Sequence, residues 1–114
     1  TLELEKSASK KALRAPLVIV GIVCYQKNER VPRWEQMVAA TGVMHNISLG
    51  VFASGFGSVW RTGAFSSSEI VKSGLNIGEN EDITGFLYVG SKPETSRRPK
   101  ALNASDYFSE WDGR

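Results

Sequence analysis

No charged side chain occurs between Glu35 and Arg61, and this gap limits the fold more than any other feature. Its first part reads as a long helix, about Trp34 to Ser54, opened by Pro32, whose fixed φ suits a helix start. Met37, Val38, Ala39, Ala40, Val43, Met44, Ile47, Leu49, Val51, Phe52 and Ala53 cover most of its circumference. A helix apolar nearly all round has to be buried on several sides. A chain of 114 residues buries roughly two-thirds of its unfolded surface and has trouble wrapping such a helix unaided. Ala39, Ala40, Gly42 and Gly50 are small enough to let a second backbone, or a flat ligand, come close. The helix is therefore expected in an interface between subunits, with Gly55 ending it as the C′ residue. Gln36, His45, Asn46 and Ser48 make the same segment a poor membrane span.

The rest of the chain alternates strands and helices. Leu2 to Leu13 reads as a helix closed by Pro16. "LVIVGIVCY", Leu17 to Tyr25, is a continuous β-branched run, the pattern of a strand buried on both faces. A short strand, Phe56 to Trp60, precedes a glycine-flanked turn. A helix from the Ser66–Ser68 caps to Ser73 follows, with Glu69 in its first turn and Gly74 stopping it. "ITGFLYVG", Ile83 to Gly90, is a second buried strand. Residues 91–114 are polar and Pro-bearing, with Tyr107, Phe108 and Trp111 as aromatic anchors. They read as an arm that docks on a partner. The pattern is α/β alternation without a doubly wound order, and "GFGS" lacks the strand–GxGxxG–helix context of a dinucleotide fingerprint.

Charge and cysteine usage narrow the function. A net charge of +2 is too small to argue for nucleic acid. Lys10, Lys11 and Arg14, then Arg97, Arg98 and Lys100, are the local basic clusters and read as solvated faces. The single Cys24 lies in an apolar run, which suits a buried, inert thiol and a reducing, cytoplasmic setting. One cysteine and one histidine, His45, offer neither a metal site nor a protein nucleophile, and His45 reads as an interface residue. The N-terminal segment has no apolar stretch of the signal-peptide kind.

The turn "GFGSVWRTGAF", Gly55 to Phe65, admits two readings. In one, Gly55, Gly57 and Gly63 serve turn geometry, Trp60 is core and Arg61 points to water. In the other, backbone N–H groups face a ligand beside an aromatic wall. From Arg14 to Gly90, through "VPRWEQ" and "GFGSVWRTGA", the chain resembles the C-terminal half of FMN-dependent nitroreductases, in particular the small bacterial subgroup sharing these two motifs. "SRRPKALNASDYFSEW" more loosely resembles the family's basic segment before its C-terminal strand.

The resemblance implies an α+β, nitroreductase-like fold with a mixed sheet flanked by helices. It also implies a homodimer through helix 34–54, with FMN in the dimer interface. Trp60, Arg61, Thr62 and Gly63 would contact FMN, with the Thr62 backbone N–H facing flavin N5 and Arg97 and Arg98 at its phosphate. Gly50, Val51, Phe52, Ala53, Ser54 and Gly55 would contact NAD(P)H. Hydride would pass through the flavin to a nitroaromatic or quinone, which calls for positioning but no protein acid, base or nucleophile. The family's N-terminal helix, with its Arg-x-Ser-type phosphate motif, has no match, so the chain is expected to be the C-terminal portion of one domain. A non-catalytic dimerising module that lacks the cofactor is the alternative.

Overall fold

Seven regular elements follow one another: α1 (Leu2–Ala12), β1 (Leu17–Cys24), α2 (Arg33–Ala53), β2 (Phe56–Arg61), α3 (Ala64–Ser67), α4 (Glu69–Gly74) and β3 (Glu81–Ser91), with a 3-10 turn at Ala104–Asp106. They are taken from a computed structural model that describes residues 2–95 and 97–114, apart from the side chains at 4, 5 and 8. The strand order is β1-β3-β2, and both pairings are antiparallel. The α+β class holds, but these three strands form no mixed sheet. The physical reason is the path of the chain. α2 returns it to the end where β1 began, so β1 and β2 run the same way, and β3 then inserts between them in the opposite sense.

The core lies between this sheet and α2. Leu87, fully buried, and Met44, 2% exposed, are its centre, joined by Val89 and flanked by Ile19, Ile47, Val51 and Trp60. Two glycines make room for them. A Cβ at Gly21 would approach Met44 Sδ to 2.6 Å, so Met44 sits on bare backbone. Gly85, opposite Gly21 and beside the one-residue bulge in the β1–β3 ladder, has φ +147° and lies under the Trp60 indole.

Burial on both faces, expected for β1, is not found. As an edge strand, β1 leaves Ile22 exposed, and Cys24 is exposed as well. The inert-thiol expectation assumed a central strand.

α2 packs one stripe on the sheet, with Met44 buried and Met37, Ala40, Ile47 and Val51 half-buried. The opposite side stays apolar and open, with Trp34 and Phe52 each 66% exposed and Val38, Val43 and Leu49 also exposed. Open space lies above Gly42 and Gly50. The helix ends as expected: the Ser54 N–H donates to the Gly50 carbonyl at 3.0 Å, and Gly55 takes φ +90°.

The "VPRWEQ" start fastens the neighbouring loop. Gln36 Oε1 accepts from the Gln26 N–H at 2.8 Å, and its Nε2 donates to the Gln26 and Val31 carbonyls at 3.0 and 2.9 Å. The Arg33 guanidinium stacks 3.6 Å from the Tyr25 ring centroid and lies 3.6 Å from Asp82 Oδ2. Lys72 Nζ reaches Asp82 Oδ1 at 3.2 Å. Burial, and then the Asp82 carboxylate, push the Tyr25 hydroxyl above its ordinary pKa. These contacts tie β1, α2, α4 and β3 together at one end of the sheet.

The helix expected over Ser66–Ser73 is two short ones. Ser68 is extended (φ −75°, ψ 121°) and caps α4, its side chain accepting from the Val71 N–H at 3.4 Å. Asn76, at φ 54°, takes the left-handed position after the helix. Described residues 92–114 contain no strand, and Tyr107, Phe108 and Trp111 are exposed. Among the described residues no helix is long and apolar enough to cross a membrane.

Candidate functional site

Successive side chains on a strand point to opposite faces, and in β2 this separates Trp60 from Arg61. Trp60 lies opposite Leu87 and joins the α2 side of the sheet; Arg61 lies opposite Phe86 on the outer side. The Trp60 indole Nε1 is buried with no hydrogen-bond partner among the described residues, as is Thr84 Oγ1. Trp60 is thus a core residue in this chain, and its indole does not wall the turn that follows it.

That turn edges a cleft of about 320 Å³ on the outer face. Arg61, Thr62 and Gly63 form one side, Lys11 and Arg14 another, and Phe65, Phe86 and Tyr88 are its aromatic part. Lys11 Nζ sits 5.9 Å from the Phe65 ring centroid. Gly63, at φ +65°, turns the chain into α3, whose Ser66 N–H donates to the Gly63 carbonyl at 3.2 Å. The N–H groups of Thr62 and Gly63 meet no backbone acceptor among the described residues. Lys11, Arg14 and Arg61 make no ion pair among them either. The site therefore offers cations, unpaired amides and aromatic rings, which suit a flat, anionic ligand. No group of His, Cys, Asp and Glu able to hold a metal occurs among the described residues.

The other expected residues lie elsewhere. Gly50, Val51 and Ser54 line an apolar groove of about 590 Å³ with Leu17, Ile47 and Val89. This groove is on the α2 side, so within one chain the sheet separates it from the Arg61 cleft. Phe52 instead lies under Lys92, whose Nζ is 3.9 Å from the ring centroid, and Ala53 and Gly55 are exposed. Arg97 and Arg98 are exposed on the segment after β3 and line neither cleft. Lys11 and Arg14, read from the sequence as a solvated face, are the residues that reasoning missed. The signal was their place just before Pro16, where α1 hands over to an edge strand.

An antiparallel sheet with one long, half-covered helix and a cationic, aromatic cleft at a Trp-Arg-Thr-Gly turn defines an α+β fold with a candidate ligand cleft. The nitroreductase family profile matches residues 2–91, and the chain belongs to that family. It is 37% identical over 84 residues to YdjA of Escherichia coli K12, named as a candidate NAD(P)H nitroreductase. That match covers 74% of this chain and 46% of YdjA. A Haemophilus influenzae protein with the same kind of name is 27% identical over 105 residues, covering 90% of this chain and 56% of its own length. The chain thus spans about half the length of the curated relatives it matches.

Solved structures share the fold. A nitroreductase-like family protein from Bacillus cereus superposes with a TM-score of 0.78 at 20% identity, over 98% of this chain and 59% of that one. A nitroreductase family protein from Clostridium novyi NT gives 0.61 at 20% identity, over 77% of this chain and 49% of that one. The nitroreductase-like fold expected from the sequence is the one found.

Proposed function

We propose that the complete protein is an FMN-dependent oxidoreductase that uses NAD(P)H to reduce small nitroaromatic or quinone-like acceptors, working as a homodimer. The observation that carries this is the cleft where Arg61, Thr62 and Gly63 meet Lys11 and three aromatic rings, in a chain of the nitroreductase family. Bound FMN supplies two-electron hydride chemistry at its N5. The chain's own part is to bind and orient. The Thr62 N–H, which meets no backbone acceptor among the described residues, would donate to the ring edge, and Lys11 and Arg61 would favour an anionic cofactor in the cleft. Phe65, Phe86 and Tyr88 hold water away from one side. Trp60 supports this cleft from the opposite face of the sheet.

The free face of α2, with Val38, Val43, Leu49 and Phe52 exposed, is the proposed dimer contact, and its small residues let a twin helix close in. The arm 91–114 docks its exposed aromatics on the partner subunit, bringing Arg97 and Arg98 as added phosphate contacts. Gly50 to Gly55 can serve the nicotinamide only across that dimer contact, because within one chain the sheet intervenes.

The test is purification of the whole protein that contains this chain. Flavin absorbance after reconstitution, and NAD(P)H oxidation that depends on an added nitroaromatic or quinone, are expected. A whole protein that takes up no FMN, or takes it up and leaves NAD(P)H untouched, would overturn the proposal.

A further inference from the structure

The exposed side of α2 has a regular spacing as well as an apolar character. Val38, Gly42, His45, Leu49 and Phe52 are all exposed, and they follow one another at steps of four, three, four and three residues. That spacing keeps side chains on one stripe of a helix, and it is the spacing of a seam between two packed helices. His45, the chain's one histidine, is the polar member of the stripe and stands at its centre, seven residues from Val38 and seven from Phe52.

The surroundings of this imidazole hold nothing to offset a positive charge. Between Glu35 and Arg61 the chain has no charged side chain. At ~1.5 Å per residue, Arg33 and Glu35 lie about 18 and 15 Å along the helix from His45. α2 packs on β1, β2 and β3, whose ionisable groups are Cys24, Arg61, Glu81, Asp82 and Tyr88. None of these pairs with His45. Among the described residues its ring has neither ion pair nor hydrogen bond, and only its carbonyl is engaged, accepting from Ser48 Oγ at 2.6 Å. The charge that does meet the stripe is Lys92, whose Nζ lies over the Phe52 ring, and it has the same sign as an imidazolium.

An uncharged stripe matches a surface as uncharged as itself, and a second copy of α2 supplies one. In a two-fold contact the same patch serves both chains. An axis at the centre of the stripe sets Phe52 against Val38 and Leu49 near the open space above Gly42. The same axis sets one His45 ring against the other.

We propose that the two His45 rings meet on this axis and make the dimer pH-sensitive, closed while both rings are neutral and opened by their protonation. This rests on the dimer reading above and is independent of the flavin one. Two neutral rings can share a hydrogen bond, the N–H of one donating to the bare nitrogen of the other. Two imidazoliums can share none, and each is a charge taken out of water beside its like. The separated chains, whose rings face water, therefore take up protons that the dimer does not. Histidine changes charge between about pH 5 and 8. By linkage the dimer is favoured at the upper end of that range and is lost as the pH falls through it.

The experiment is sedimentation of the whole, flavin-free protein between about pH 5.5 and 8, with circular dichroism on the same samples to follow helix content. The dissociation constant of the unmodified dimer is expected to rise about ten- to a hundredfold toward the acid end. His45→Gln and His45→Leu keep the seam uncharged, so both should dimerise with a dissociation constant that no longer follows pH. His45→Lys, charged throughout, should be a folded monomer even at the upper end. A dissociation constant of the unmodified dimer that stays flat would overturn the role of His45 while leaving the dimer in place. So would a pH response that survives in either neutral variant, neutral variants that do not dimerise, or His45→Lys dimerising as tightly as the parent. An unmodified protein that is monomeric across the whole range would overturn the dimer reading itself, and the His45 assignment with it.

Discussion

Replacing Gly85 by alanine tests whether Trp60 belongs to the core. Gly85 is buried, with φ +147°, a conformation that disfavours any side chain and costs an alanine on the order of 1–3 kcal/mol. Its new Cβ would overlap Trp60 Nε1 and would lie 2.7 Å from Cδ1 and 3.1 Å from the Arg61 carbonyl oxygen. Overpacking of that kind typically costs about 1–3 kcal/mol. Together the two effects come to about 2–6 kcal/mol, a large part of the roughly 5–15 kcal/mol that holds an ordinary domain together. The packing part has a signature. Trp60→Leu removes the obstructing indole, along with an N–H that is buried unpaired, so the double variant should lose about 1–2 kcal/mol less than the sum of the singles. Urea denaturation of the whole flavin-free protein at one fixed concentration is the assay, because bound cofactor and subunit contacts both raise apparent stability. Gly85→Ala within about 0.5 kcal/mol of the parent, or strictly additive losses, would refute the packing of Trp60 on Gly85.

Three further outcomes are expected. Val43→Glu places a carboxylate on the free face of α2, and burying it unpaired in a dimer contact should cost several kcal/mol and shift sedimentation to monomer. Ala40 faces the sheet side and would report on folding instead, and an unmodified protein that sediments as a well-folded monomer would count against the dimer. Thr62→Pro removes the backbone donor at the cleft and should weaken FMN binding about ten- to a hundredfold, whereas Thr62→Ala should be mild; equal affinities in fluorescence titration would take the turn out of the site. Tyr25, raised above 10.0 by burial and then by Asp82, favours its neutral phenol in the folded state. Its stabilisation is therefore complete below the unfolded pKa and is lost as pH climbs through the folded one. The tyrosinate absorbance missing from Tyr25→Phe should titrate above pH 10.0, and its appearance at or below that value would contradict the burial.

What the sequence made legible was whatever depends on local chemistry. Pro32 and Gly55 bracket α2 at Arg33–Ala53, and the β-branched runs mark β1 and the middle of β3, because these signals act within a few residues. Strand order does not. Whether β1 is central or at an edge decides the exposure of Ile22 and Cys24, and that depends on β3 arriving from far along the chain to lie between β1 and β2. The candidate site shows the same division. Arg61, Thr62 and Gly63 stand together in the motif and in space, but Lys11 and Arg14 join them only because α1 leads into the strand beside β3.

Trp60 is the instructive case, because the answer was within reach. A strand ending at Arg61 has to turn Trp60 and Arg61 to opposite faces, so a motif that names both residues cannot place both side chains in one cleft. The charge-free stretch carries a similar double message. Its Met37, Met44, Ile47 and Val51 stripe is covered by this chain's own sheet, while Val38, Val43 and Leu49 remain exposed among the described residues. Composition alone asks for cover on both stripes. The fold of one chain supplies only the first, which is why the interface expectation outlasts the folding of the chain and becomes a question for sedimentation.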